Sequence, residues 1–268
     1  MSSSAALPRA KGMFNPAGFP RALLHVGLYL GVFIAAWWAY AVVGKVPTFL
    51  LPTPDKIWEA FVSMSASGIL WVNLAGTVQS VAFGFVVGVV IGIAMGYLVS
   101  RFQLFREITA PYIILSQAAP KIAIVPLLVL WLGLGLGTQL ALTLLLTFFP
   151  VMVAAQLGFA SMSNEARDLG AILGFSRIRS FWTIQLPGAL PDLFAGAKIG
   201  ILEAVEGAFL AEFLTAQHGL GYLMVLGGST YNAPMLFGAV ILTVLVGLTG
   251  FGLIFLAERY FLRWRKTI

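Results

Sequence analysis

Runs of about twenty apolar residues recur along this chain, with short polar stretches between them. The chain is 60% hydrophobic and 10% charged, whereas a soluble domain carries about 25% charged residues. A helix of that length matches the hydrocarbon thickness of a bilayer. The sequence therefore predicts an all-α polytopic membrane protein.

The apolar runs predict about six transmembrane helices. Between the first two, Thr53 or Asp55 can cap a short amphipathic helix on the water side of the membrane. The predicted spans cover Leu23–Val43, Leu74–Val99, Ile108–Leu132, Gln139–Gly158, Phe194–Leu214 and Met235–Ala257.

The basic residues predict the orientation of these helices. If the N-terminus lies in the cytoplasm, most of the 16 lysines and arginines fall on the cytoplasmic side, and only Lys45 and Lys56 fall outside. We therefore expect both termini in the cytoplasm. The net charge of +6 is divided among short loops, so membrane topology explains it better than binding to nucleic acid.

A stripe of small residues repeats every four positions in the second predicted span. Small side chains at this spacing form a shallow groove that another helix can approach closely. The stripe indicates either tight packing within the bundle or a seam in a moving bundle or dimer. It consists of Gly76, Ser80, Gly84, Gly88, Gly92 and Gly96.

Prolines interrupt the third predicted span at Pro111, Pro120 and Pro126. Each proline removes a backbone hydrogen bond and clashes one turn back, so we expect a broken helix. Broken backbone at membrane depth is tolerated where it lines a cavity or is buried in protein. Lys121, in this break, and Gln117 are candidates for a substrate path; alternatively, Lys121 extends to the membrane interface.

The fifth predicted span is the most acidic and carries Glu203, Glu206 and Glu212. Glu203 and Glu206 are three residues apart and share a helix face. Carboxylates in a bilayer must be neutralised, hydrated or paired. We expect Glu203 and Glu206 to line the substrate path or to pair with Lys121; the alternative is a structural polar pair that fixes packing.

The segment Asn164–Gly200 is the most polar long stretch of the chain. Its apolar positions predict a short helix that Gly174 ends, followed by a second short helix over Phe175–Trp182. Pro187 and Pro191 are expected to separate this segment from the next span. Two short helices with an apolar and a cationic face indicate a surface that another protein contacts from the water.

Catalytic motifs are missing from the sequence. It contains no G-x-x-x-x-G-K-[ST] phosphate-binding loop, no H-E-x-x-H and no G-x-S-x-G. With no cysteine and two histidines, it offers no disulfide and no histidine cluster that would bind a metal. We expect a transport protein and not an enzyme, with any energy source outside this chain.

The spacing G-x9-I-x-L-P, formed by Gly174 and Ile184-Gln185-Leu186-Pro187, resembles the EAA loop of bacterial ABC-importer permeases. In that family the loop carries the coupling helix that docks on the ATPase subunit. The resemblance extends over most of Pro47–Arg259. The PKIAIVPLLVLWLGLG segment and the GLGYL segment look most like the nitrate, sulfonate and taurine branch.

The resemblance implies a type I ABC-importer permease fold in the bacterial plasma membrane. It implies a cytoplasmic tail over 1–22, one transmembrane permease domain over 23–259 with the coupling loop at 159–193, and a cytoplasmic tail over 260–268. The residue that corresponds to the glutamate of the EAA motif is either Asp168 or Glu165. The implied ATPase-coupling residues are Asp168, Gly170, Ala171, Gly174, Phe175, Ser176, Arg177, Ile184, Leu186 and Pro187.

The resemblance also implies the partners: ABC ATPase subunits that bind ATP and magnesium, an extracytoplasmic solute-binding protein, and a second permease copy in a homodimer. No cofactor is expected in this chain. The implied solute is a small anion of the sulfonate, taurine or nitrate type; the alternative is a vitamin precursor or an aromatic acid. A less favoured class is a secondary transporter driven by an ion gradient, for which we find no convincing internal repeat.

Overall fold

The computed structural model describes residues 19–162, 170, 172–215 and 218–263, with side chains for all of them except 19–23 and 117. The regular structure of these residues is helical, without strands. The elements are α1 (Phe19–Val43), α2 (Pro54–Ala66), α3 (Ile69–Arg101), α4 (Gln103–Ala118), a 3₁₀ turn (Lys121–Ile124), α5 (Val125–Leu132), α6 (Leu136–Ala160), α7 (Arg177–Ser180), a π-helical turn (Phe181–Gln185), α8 (Leu186–Thr215), α9 (Leu220–Ser229) and α10 (Ala233–Phe261).

Four of these helices, α1, α3, α6 and α10, are long and apolar enough to cross a membrane. The α4 helix and the segment through α5 make a fifth span if the bent pair is counted as one. The α8 helix is 30 residues long but carries five charged side chains, so hydropathy alone does not identify it. Length and composition thus give four or five spans, and the expected six requires α8 to cross as well.

The third predicted span is broken, as its prolines predict. Its two halves meet at an angle of 103°. The break lies at Pro120, which precedes the 3₁₀ turn, whereas Pro111 lies inside α4 and Pro126 in the first turn of α5. Only one of the three prolines therefore interrupts the helix.

The small-residue stripe of α3 packs against α6 inside the chain. Gly84, Gly88, Gly92 and Gly96 face successive turns of α6, and a Cβ added to Gly96 would lie 2.5 Å from the Ala155 Cβ. The two helices run parallel at this contact. Because α6 covers these four glycines, they form internal packing and not a surface for a second copy.

The α8 helix packs against α6 in the opposite direction. A Cβ added to Gly196 would lie 2.5 Å from the Ala154 Cβ, and one added to Gly207 would lie 2.9 Å from the Thr143 Cα. The α6 helix is thus approached by two helices, α3 and α8, that both contact it through glycines. Fully buried Leu142 and Val151 of α6 lie in this interior.

Pro187 and Pro191 do not separate the polar segment from the next span, so that prediction is wrong. Both lie in helical structure that continues from Arg177 to Thr215. Pro187 has no N–H, and in an α-helix its ring would clash one turn back. The π-helical turn immediately before it, closed by the Leu186 N–H on the Phe181 carbonyl, widens the helix there. The α8 helix therefore begins at Leu186 and not at Phe194.

Enlarging a stripe glycine tests this packing. We expect Gly96→Leu to lower the free energy of unfolding by about 1–3 kcal/mol or more, because the α3–α6 contact has no room for the side chain. Gly252→Leu in α10 is the control, since nothing lies within 4 Å of a Cβ added there. Thermal unfolding of the two purified variants checks this. Equal stability would contradict the α3–α6 contact.

Candidate functional site

The tip of the polar segment is a helix C-cap at Gly174. Gly174 has φ +67°, and the Phe175 N–H donates to the Gly170 carbonyl oxygen at 2.9 Å. A helix that ends in a residue with positive φ, followed by an N–H that donates to the carbonyl oxygen five residues earlier, has the Schellman arrangement. A Cβ added to Gly174 would have no atom within 4 Å. The requirement for glycine is therefore the backbone conformation and not a lack of space.

The two arms of this hairpin, which we define as residues 170–187, contact each other. Gly170 is buried, and a Cβ added to it would lie 3.0 Å from Ser180 Oγ and 3.1 Å from Ile184 Cδ1. On the second arm, Ser176 caps α7: its Oγ accepts a hydrogen bond from the Arg179 N–H at 3.3 Å. Close packing and capping give the hairpin a defined shape.

Aromatic contacts fix the hairpin to the helix bundle. The Phe181 ring lies 5.2 Å from that of Tyr97 in α3 and 6.1 Å from that of Phe159 in α6, measured between centroids. Tyr97 and Phe159 are themselves 5.1 Å apart. Leu186 packs against the neighbouring apolar cluster around Ala155 and Leu193. The base of the hairpin is thereby attached to the helices that form the core.

The outer surface of the hairpin is apolar and basic. Ile172 and Ile178 are 80% and 73% exposed, and Arg177 is exposed beside them. The Arg179 guanidinium lies 4.4 Å from the centroid of the Phe175 ring. Exposed isoleucines on a well-packed hairpin are typical of a surface that another protein covers.

Two of the predicted coupling residues, Asp168 and Ala171, lie outside the described residues, and so does Glu165. The acidic residue of the loop therefore stays a prediction from the sequence. Pro187 and Ile184 lie in the second arm with Phe175, Ser176, Arg177 and Leu186, whereas Gly170 lies in the first arm and Gly174 at the tip.

A second group of predicted residues meets at the break in the third span. Lys121 Nζ lies 2.6 Å from Glu203 Oε2 and 3.1 Å from Glu206 Oε2. The structure thus brings three of the four predicted path residues together, although Lys121 is more than 80 residues from the two glutamates in sequence. Gln117 lies in the last turn of α4, and its side chain is outside the described residues.

A cavity of about 610 Å³ adjoins this ion pair. Its walls come from α4, α6 and α8, and most of the lining side chains are apolar. Lys121 and Glu203 stand at its edge, with Tyr112, Ser116 and Phe149 among the other lining residues. The cavity has the size and apolar character of a site for a small organic molecule.

Glu212, the last acidic residue of α8, has a different role that the sequence did not indicate. It is fully buried, and its Oε2 accepts hydrogen bonds from Thr77 Oγ1 at 2.8 Å and from the Gly221 N–H at 3.0 Å. Asn73 and Thr77 accept from the Gly219 and Leu220 N–H groups, each at 2.8 Å. Glu212, Asn73 and Thr77 form a clamp that fixes the start of α9.

Gly219 and Gly221 allow the start of α9 to come this close to Glu212. A Cβ added to Gly219, which has φ +106°, would overlap the Glu212 carboxyl group. A sequence signal for the clamp exists: Asn73 and Thr77 are four residues apart, so two polar side chains share one face of an apolar span. Their partner is 135 residues from Thr77 in the sequence, which spacing alone cannot show.

Comparison with known proteins places the chain in a family. Residues 88–266 match the family described as "Binding-protein-dependent transport system inner membrane component". The match covers more than half of the chain, and the chain belongs to this family. It is a multi-pass ABC transporter permease of the importer type, a transport component and not a catalytic enzyme.

Several curated relatives are similar over most of their length. The riboflavin transport system permease RibX of Chloroflexus aurantiacus is 30% identical, over 91% of each chain. The formylaminopyrimidine transport permease ThiX of Halalkalibacterium halodurans is 31% identical, over 81% of this chain and 87% of its own. The taurine permease TauC of Escherichia coli is 28% identical, over 86% of each.

A solved structure supports the fold. The inward-facing structure of the MetNI methionine ABC transporter aligns with a TM-score of 0.55 and 20% identity, over 70% of this chain and 96% of that chain. At this identity the likeness concerns the fold alone. It confirms the predicted all-α, type I ABC-importer permease architecture.

Substitution of Gly174 tests the cap at the hairpin tip. Valine in the left-handed conformation costs about 1–2 kcal/mol, so we expect Gly174→Val to open the tip and to speed tryptic cleavage after Arg177 and Arg179 several-fold. Gly174→Asn has the same free space and tolerates this conformation, so it should be cleaved at nearly the wild-type rate. If trypsin cleaves both variants at the wild-type rate, the cap at Gly174 is wrong.

Substitution of Glu212 tests the clamp. Glu212→Ala leaves the Thr77 hydroxyl and the Gly221 N–H without their acceptor, and we expect a loss of about 1–3 kcal/mol in unfolding free energy. Glu212→Gln keeps an acceptor oxygen and should lose less. Glu107→Ala, on the exposed face of α4, removes the same charge as a control. The clamp is wrong if all three variants unfold at the same temperature.

Proposed function

We propose that this chain is the membrane-spanning permease subunit of an ATP-driven importer and moves a small solute into the cytoplasm by alternating access. One observation carries the proposal. The hairpin has an exposed apolar tip, marked by Ile172 and Ile178, and an aromatic base that packs on α3 and α6. A partner that contacts the tip would therefore act directly on the core of the bundle.

The hairpin is mechanically continuous with the candidate path. Helical structure runs without interruption from Arg177 to Thr215 and carries Glu203 and Glu206. A displacement of the hairpin would thus reach the two carboxylates through one helical rod. We propose that nucleotide-driven motion of an ATPase subunit follows this route. The coupling residues are the ones predicted above, from Asp168 to Pro187.

The proposed assembly contains two copies of this chain, two ABC ATPase subunits that bind ATP and magnesium, and an extracytoplasmic solute-binding protein. The termini and the hairpin lie in the cytoplasm, as the distribution of basic residues predicts. The α9 end of the bundle then faces outward, where a binding protein delivers its solute. Family membership supports the binding protein and the ATPase.

The relatives span both predicted groups of solute. One is named for taurine and another for aliphatic sulfonates, which agree with the expected anion. Others are named for riboflavin and formylaminopyrimidine, which agree with the vitamin-precursor alternative. We propose a small organic solute, and the charge of the cavity then decides between the two groups.

A charged residue on the hairpin tip tests the function. We expect Ile178→Glu to prevent co-purification of the ATPase subunit with the permease and to abolish ATP-dependent uptake, because the carboxylate would be desolvated in an apolar contact. Tyr231→Glu is the control for ATPase binding. Tyr231 is 79% exposed in the turn before α10, at the end of the bundle away from the hairpin.

Two outcomes would contradict the proposal. Normal ATPase recovery with Ile178→Glu would show that the hairpin is not the docking surface. Uptake that persists without any ATPase subunit, and stops when the ion gradient is dissipated, would favour the secondary-transporter alternative.

A further inference from the structure

We propose that the cavity between α4, α6 and α8 binds a neutral or amine-bearing organic solute with a ring, and that it rejects simple anions. This inference rests on the proposed permease function, because it assumes that the cavity belongs to the transport path. It also decides against the anionic solute that the family resemblance implied.

The charge beside the cavity is negative once Glu206, which contacts the lining residue Lys121, is included with Glu203. One ammonium, Lys121, stands against two carboxylates, Glu203 and Glu206, at 2.6 Å and 3.1 Å. The three groups together carry a net charge of −1 when all are ionised. An entering anion would have to displace both carboxylates from Lys121 and would still lie beside them, and like charges in close contact oppose binding.

Nearby basic groups do not reverse this sign. Lys198, five residues before Glu203 on α8, is paired with Glu258 of α10 at 2.9 Å. Among the described residues that line the cavity, Lys121 is the one basic side chain. An anion therefore finds no free cation in this part of the chain.

The carboxylates are better placed to accept a donor from the solute. Glu203 lines the cavity, whereas Glu206 contacts Lys121 from outside the lining, so Glu203 is the acceptor that a solute in the cavity meets. The Lys121 ammonium occupies the position that an amine or N–H of the solute would take. Its long side chain starts in the break between α4 and α5 and can withdraw from Glu203 while it keeps its contact with Glu206.

The walls of the cavity indicate the rest of the solute. Phe149 and Tyr112 contribute aromatic surface, and Leu146 and Ile199 contribute aliphatic surface. The volume of about 610 Å³ falls in the range of pockets that enclose small organic molecules. A ring with a polar, hydrogen-bond-donating edge satisfies both the walls and the carboxylates.

Three ring compounds of equal size but different charge test the inference: benzylammonium, benzyl alcohol and benzenesulfonate. Binding of each to the full-length permease in lipid nanodiscs is measured by saturation-transfer NMR titration. We expect benzylammonium to bind about tenfold more tightly than benzenesulfonate, with benzyl alcohol between them. Glu203→Gln should remove this preference, and Lys121→Met should strengthen benzylammonium binding because it removes the competing ammonium.

Glu107→Gln is the matched control, because it makes the same charge change on an exposed part of α4 and should leave all three affinities unchanged. Thermal unfolding of each variant establishes that it is folded. The inference is overturned if benzenesulfonate binds more tightly, if all three bind equally, if none shows saturable binding, or if Lys121→Met abolishes benzenesulfonate binding. No ATPase is present in this measurement. A result that overturns the cavity inference would therefore leave the hairpin proposal standing.

Discussion

The close approach of α6 to its two neighbours is the constraint on which the other features depend. Glycines of α3 and α8 approach the same residues of α6, Thr143, Thr147 and Val151, at distances that leave no room for a larger side chain. Because these three helices are in contact along their lengths, α6 can serve at once as a wall of the cavity and as part of the aromatic base of the hairpin. Removal of this packing would separate the hairpin from the cavity.

Within this core, α8 connects the two candidate sites. The same helix begins at the hairpin, carries Glu203 and Glu206 in its middle and ends at Glu212, which fixes α9. Four of its five charged residues have a defined contact: Lys198 with α10, Glu203 and Glu206 with the broken third span, and Glu212 with α3 and α9. A helix this polar is stable at membrane depth because each of these groups is paired or hydrogen-bonded.

Several features could be predicted from the sequence because they depend on local properties. Apolar runs predicted the long helices, Pro120 the break, and the Gly174 spacing the hairpin. Features that depend on distant contacts could not be predicted. The Glu212 clamp needs Thr77, the aromatic base needs Tyr97 beside Phe181, and the π-helical turn that accommodates Pro187 has no sequence signature. The sequence also showed three ionisable path residues and offered pairing with Lys121 as one possibility, but it could not show that both Glu203 and Glu206 contact the same ammonium.

The central claim is that an ATPase moves the hairpin and thereby reshapes the cavity. Because the chain contains no cysteine, a single cysteine in place of Ile199, a cavity-lining residue of α8, gives one spin label per copy. The distance between the labels is then measured by pulsed electron resonance in the reconstituted transporter, with and without ATP and magnesium. We predict that nucleotide shifts this distance and that Ile178→Glu removes the shift. A distance that does not respond to nucleotide would contradict it.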